Sequence, residues 1–169
     1  MTGRQLRVLI DGRELKSKRT GISRVLMGLV SNLAGRPKFG ETLLLVYKGF
    51  PVEDLAKLNP KVKIGFLSSN RFLAELQIYL KIWTGIDVFI SPYPKLPVGL
   101  KKGKFVNTVH DVFYIDPGRR NIENVLRKLR LRNALRKSDL TWYDSEFSLK
   151  ETKELIGHTG KNPKVRYPG

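Results

Sequence analysis

Two titratable residues stand side by side at His110 and Asp111, inside the stretch KFVNTVHDVFYIDPG that runs from Lys104 to Gly118. Phe105 to Val109 reads as a short β-prone run, and Pro117-Gly118 breaks the chain after it. A strand that hands polar residues to its carboxyl end is where open α/β sheets carry out chemistry. His110 there is either a proton-transfer or hydrogen-bonding group oriented by Asp111, or an imidazole that only completes the local structure. Position alone does not choose between them, and the same holds for Asp11 at the end of an earlier apolar run.

Gly21 opens a different possibility. A glycine at a helix amino terminus lets backbone amides approach a phosphate closely, and the helix dipole favours negative charge there. The plainer reading is that Gly21 permits a tight turn. The dinucleotide fingerprint G-x-G-x-x-G is absent, so no nicotinamide or flavin site is expected. GHTGKN, Gly157 to Asn162, has the wrong spacing for a phosphate loop and carries Asn162 in place of the required hydroxyl residue, so it reads as a turn with His158 at the surface. No HExxH, metal-spaced His/Asp cluster or nucleophile elbow occurs, which leaves metal-assisted and triad chemistry without support. No cofactor and no metal are expected.

The elements that must position these residues follow a regular order. Leu6 to Ile10 is a mostly apolar strand closed by Asp11-Gly12. Ile22, Val25, Leu26, Leu29, Val30 and Leu33 fall at helical spacing before Gly35 and Pro37 stop the helix. Strands are expected at Glu41 to Tyr47, Val62 to Leu67, Val88 to Ile90, Phe105 to Val109, Leu140 to Tyr143 and Lys164 to Tyr167. Helices are expected at Val52 to Leu58, from Asn70 through Trp83, and from Ile122 to Lys137, with a further one capped by Ser148 and Glu151 and ending near Gly157. The apolar sides are expected to be Phe72, Leu73, Leu76, Tyr79, Leu80 and Trp83 in one helix, and Ile122, Val125, Leu126, Leu129 and Ala134 in another. Ser91 to Leu100, with three prolines and a glycine, must be an irregular loop. Strands alternating with helices in this way predict an α/β, doubly wound, mostly parallel Rossmann-like sheet with right-handed crossovers.

Length and composition bound the answer. The 169 residues suit one domain, and 41% hydrophobic with 28% charged residues is a globular composition. Cysteine is absent, so disulfides and thiolate metal sites are excluded. No apolar run approaches the length of a membrane-spanning helix, and no signal-peptide core is present. The largest departure from an ordinary domain is charge, with 32 basic against 15 acidic residues and a net +17. Such an excess implies attraction to an anion: nucleic acid, acidic lipid or a phosphorylated ligand. Arg119 to Lys137 alone holds eight basic residues and one acidic. That segment, with Arg119, Arg120, Arg127, Lys128 and Arg130, is a solvated basic face, a phosphate-backbone reader or an interfacial helix that attracts anionic lipid. Aromatic residues are not interleaved with these charges, which lowers the reading as a binder of single-stranded nucleic acid.

Taken together, TGISRVLMGLV from Thr20, NTVHDVFYIDP from Asn107, YDSEFSLKETKELIG from Tyr143 and the terminal VRYPG resemble the amino-terminal domain of family 4 retaining glycosyltransferases of the GT-B type. The order and spacing of these stretches match over nearly the whole chain. The resemblance implies the acceptor-side half of a two-domain hexosyltransferase-like enzyme that moves a sugar from a nucleotide sugar to an acceptor hydroxyl with retention, without a dedicated metal. It places Gly21 and Ile22 near the donor diphosphate and makes His110, with Asp111, the group that faces the reacting sugar. Asp11, Arg24, Tyr93, Ser145 and Glu146 would line the acceptor cleft, with the turn from Ser145 to Ser148 structural or cleft-lining. It also implies a donor-binding carboxyl-terminal domain that these residues do not include, so the chain alone is expected neither to bind nucleotide sugar tightly nor to turn over. A cytoplasmic protein, peripheral at the inner face of the cell membrane and building a lipid-linked or cell-envelope glycan, would follow. The competing classes are a basic nucleic-acid-binding α/β module and a partner subunit completed by another chain.

Overall fold

A computed structural model describes residues 4–15, 21–50, 59–83, 85–96, 103–118 and 121–166. The fold is α/β, built on a seven-stranded parallel sheet of strand order β3-β2-β1-β4-β5-β6-β7. The strands are β1 (Leu6–Asp11), β2 (Phe39–Tyr47), β3 (Val62–Leu67), β4 (Val88–Ser91), β5 (Lys104–Val109), β6 (Leu140–Tyr143) and β7 (Pro163–Val165). The described helices are α1 (Gly21–Ala34), α2 (Arg71–Trp83), α3 (Ile122–Lys137) and α4 (Glu146–Ile156). The expected helix at Val52 to Leu58 lies outside the described residues. Strand order reverses at β1, where the chain leaves first toward β2 and β3 and later toward β4, the mark of a doubly wound sheet.

Contacts divide the chain into two compact units, residues 1–92 with 97–103, and residues 93–96 with 104–169. In the first, Leu9, Ile10, Leu44, Leu45 and Val46 are buried at the centre of their strands, as runs of branched apolar residues in a parallel sheet should be. β1 pairs with β2 so that Asp11 lies against Leu45. Gly12 then passes so near β2 that a Cβ there would lie 2.7 Å from the Leu45 carbonyl oxygen, which explains the glycine after the strand. In the second unit Val109, Val112, Ile115, Leu131, Leu135, Tyr143 and Ile156 form the core, and β5 pairs with β6 in register Val109 to Tyr143.

The strands end where their apolar runs end, but two helices, α2 and α3, turn other faces inward than their apolar stripes suggest. In α2 the buried residues are Ala74 and Ile78, while Phe72, Leu73, Leu76 and Leu80 are exposed. In α3 Asn124, Leu131, Ala134 and Leu135 are buried, so that of the expected apolar side only Ala134 faces inward, and the stripe Ile122, Val125, Leu126 and Leu129 faces outward. In α1 the expected stripe does face inward: Leu26 and Val30 are buried along with Ser23 and Ala34, Ile22, Leu29 and Leu33 are half-buried, and only Val25 of the stripe is exposed. The physical reason in α2 and α3 is close approach: small residues such as Ala74 and Ala134 let a helix lie near the sheet, and the bulkier side chains are left on the far side. No helix among the described residues is long and apolar enough to cross a membrane.

The carboxyl-terminal turn bears on β6. Gly157 caps α4 with φ 86°, and Gly160 follows with φ 95°. A Cβ on Gly160 would lie 2.6 Å from Thr141 Oγ1, whereas nothing lies within 4 Å of one on Gly157. Gly160→Ala should therefore cost about 2 kcal/mol or more, adding a clash to left-handed strain, and Gly157→Ala about 1 kcal/mol from strain alone. Urea titration of both variants checks this, and equal losses would show that the Thr141 contact is soft. His158 is half-buried rather than a surface histidine: its Nδ1 accepts from the Gly160 amide at 3.2 Å. Burial, then the charges of Arg136 and Arg132, hold its ring below the usual histidine range.

Candidate functional site

In the second unit His110 follows β5 directly and Asp144 follows β6. Because β5 and β6 are parallel neighbours with Val109 opposite Tyr143, the next residue of each strand is brought to its counterpart. His110 Nδ1 meets Asp144 Oδ2 at 2.5 Å, with the two side chains 11% and 27% exposed. A carboxylate accepts and does not donate, so Nδ1 carries a proton in this pair. The backbone is held as well: Ser148 Oγ donates to the His110 carbonyl at 2.6 Å. The Tyr93 ring stands edge-on to the imidazole, 5.8 Å between centroids at 70°. Histidine, its partner and its packing wall all belong to this unit.

Asp111 has a different place from the one expected of it as the orienting acid. Its carboxylate accepts from the Phe113 amide at 3.2 Å, closing the turn after β5. Its charge also acts on Tyr114, whose phenol is pushed up to about 12, by burial first and by Asp111 second. The loop is then tied to α3. Asp116 N donates to Asn124 Oδ1 at 3.1 Å, Asn124 Nδ2 donates to the Asp116 carbonyl at 2.6 Å, and Arg127 donates to the Tyr114 carbonyl at 2.6 Å.

The Ser145 to Ser148 turn begins α4, one turn earlier than a cap at Ser148 with Glu151 would begin it. Ser145 is the N-cap, and its Oγ accepts from the Ser148 amide at 3.1 Å. Ser148 is not the cap because it already lies in the first turn of the helix, where its hydroxyl donates to the His110 carbonyl. Glu146 lies exposed in the first turn, where its charge suits the helix dipole. Phe147 beside it pairs with Phe113, ring centroids 6.2 Å apart.

In the first unit Asp11 is committed to Arg13. The guanidinium donates to Asp11 through Nε at 2.8 Å and through Nη2 at 2.6 Å, and to Glu75 on α2 through Nη1 at 2.6 Å. The Arg13 and Asp11 side chains are 8% and 7% exposed. Burial would lower the arginine's proton affinity, but the two carboxylates outweigh it and the net shift is upward. Arg13 reads in the sequence as part of a polar loop, and only its spacing two residues beyond a strand-end aspartate hints at such a fork.

Gly21 is the first residue of α1, with no positive φ and nothing within 4 Å of where a Cβ would stand. It is therefore not a turn glycine of the left-handed kind. Ile22 is half-buried next to it, and Arg24 is exposed one turn on. Arg127, Lys128 and Arg130 lie on α3, with Arg127 also paired to Glu123 at 2.5 Å. Arg119 and Arg120 fall outside the described residues, as does Thr20. Among the described residues no three His, Asp or Glu side chains are grouped to hold a metal ion.

Asp144 and Ser148 are the site residues that sequence reasoning passed over for these roles. The available signal was strand pairing, since consecutive strands of a βαβ unit lie side by side and both of these end in an apolar residue followed by a polar one. No protein-family model matches the chain, and no curated protein matches it.

Proposed function

We propose that this chain is the acceptor-side half of a retaining glycosyltransferase, which passes a sugar from a nucleotide-sugar donor to an acceptor hydroxyl. The observation that carries the reading is the His110–Asp144 pair at the carboxyl ends of adjacent parallel strands. With Nδ1 committed to Asp144, the imidazole that would face the reacting sugar is held in an orientation fixed by Tyr93 and by the Ser148 bond to its carbonyl. A fixed ring of this kind holds a reacting hydroxyl without reorganisation during the reaction. On this reading the donor is held chiefly by a second domain. Closure of the two domains would exclude water and protect the donor from hydrolysis.

Calorimetric titration of the chain with nucleotide sugars tests this. The dissociation constant is expected near or above about 1 mM, since the donor's main partners lie elsewhere. Micromolar affinity would overturn the acceptor-side assignment. The net charge of +17 supports a rival, a nucleic-acid-binding module. A salt-dependent mobility shift with duplex or single-stranded nucleic acid, unchanged in His110→Ala, would favour that rival.

A further inference from the structure

The outward face of α3 combines two features that a purely solvated helix does not need together. Ile122, Val125, Leu126 and Leu129 repeat at i, i+3, i+4 and i+7, so they form one stripe, and all four are exposed, Ile122 at 80%. They lie opposite the buried residues Leu131, Ala134 and Leu135, so the fold itself leaves this stripe uncovered. Within the same helix six basic residues stand against one acidic, Glu123, and the exposed Arg130 and Arg132 border the stripe on its two sides. Phe113 and Phe147 add two exposed rings in contact with each other, and the loop that carries Phe113 is tied to α3 through Asn124 and Arg127.

We propose that α3 is an interfacial helix that docks this unit on an anionic bilayer. The aliphatic stripe enters the boundary between headgroups and acyl chains, and the flanking cations meet lipid phosphates. Charge chooses this occupant over the others. A second copy docked through the same face would bring two helices of like charge together, which is repulsive. Nucleic acid would use the cations and leave the branched aliphatic residues without a partner. A bilayer with acidic headgroups satisfies both the apolar stripe and its border. The inference stands apart from the role of His110.

Co-sedimentation with vesicles of phosphatidylglycerol mixed into phosphatidylcholine is the test, with pure phosphatidylcholine as comparison. The wild-type chain is expected to partition onto the acidic vesicles and to be released as salt rises. Val125→Asp with Leu129→Asp should weaken partitioning at least about tenfold. Arg130→Gln should weaken it about fivefold and flatten the salt dependence. These positions are exposed, and an unchanged melting temperature confirms that the variants fold. Leu126→Trp gives a second readout, a blue shift of emission on acidic vesicles. Binding that ignores the stripe substitutions would overturn the proposal. So would absence of binding at low salt, or a concentration-dependent dimer abolished by the stripe substitutions.

Discussion

Arg13→Met lowers stability by about 3–5 kcal/mol, read from urea unfolding, because it strands a buried carboxylate. Asp11 is 7% exposed on its side chain, and its oxygens are met by three guanidinium bonds and by the Arg13 amide. Removing the cation takes all the side-chain bonds and leaves Asp11 charged in a site that water scarcely reaches. Glu75, 29% exposed, loses its partner too, but it recovers hydration and adds little. The sign of the coupling is the sharper part of the prediction. Adding Asp11→Leu to Arg13→Met should restore much of the loss, since no buried charge then remains. A single-variant loss under about 1 kcal/mol would mean that the pair is hydrated and does not anchor the end of β1.

Under the proposed function, Asp144→Asn in the complete two-domain enzyme is expected to reduce sugar transfer by about 10²–10⁴-fold, the range for disabling a positioned proton-handling group. The asparagine amide can donate to Nδ1, which drives the ring to the opposite tautomer and turns Nε2 from acceptor to donor. Imidazole nitrogen shifts in the Asp144→Asn chain should report that change, while the melting temperature moves little. Asp111→Asn is the control, because that carboxylate accepts the Phe113 amide and the asparagine oxygen can do the same. It should leave transfer within a few-fold. If Asp111→Asn were the damaging variant and Asp144→Asn harmless, the orientation of His110 given above would be wrong.

What was legible in the sequence follows from which interactions are local. β1, β2 and β4 were readable because a parallel strand buried on both faces writes itself as an apolar run, as at Val8 to Ile10, Leu44 to Val46 and Phe89-Ile90, whereas the reason for Gly12, the close approach of β2, is visible only in the fold. His110 was readable as a strand-end residue. Its partner was not, because Asp144 is 34 positions away and Asp111 is adjacent, and adjacency in sequence puts side chains on opposite sides of an extended chain. Only the register of β5 against β6 reveals Asp144. The faces of α2 and α3 were misread for a related reason. Spacing i, i+3, i+4, i+7 shows that Ile122, Val125, Leu126 and Leu129 share a face, but not what covers that face. The sheet took the side holding Ala134, and the larger stripe was left outward.

Sugar transfer by the complete two-domain enzyme of the proposed function, compared with its His110→Ala variant and followed by proton NMR of the fresh product, tests the central claim most directly. The account predicts a product that keeps the donor's anomeric configuration, and a loss of at least about 100-fold in the variant with its melting temperature preserved. Equal rates in the two proteins, or no transfer from any nucleotide sugar alongside tight salt-dependent binding of nucleic acid, would contradict it.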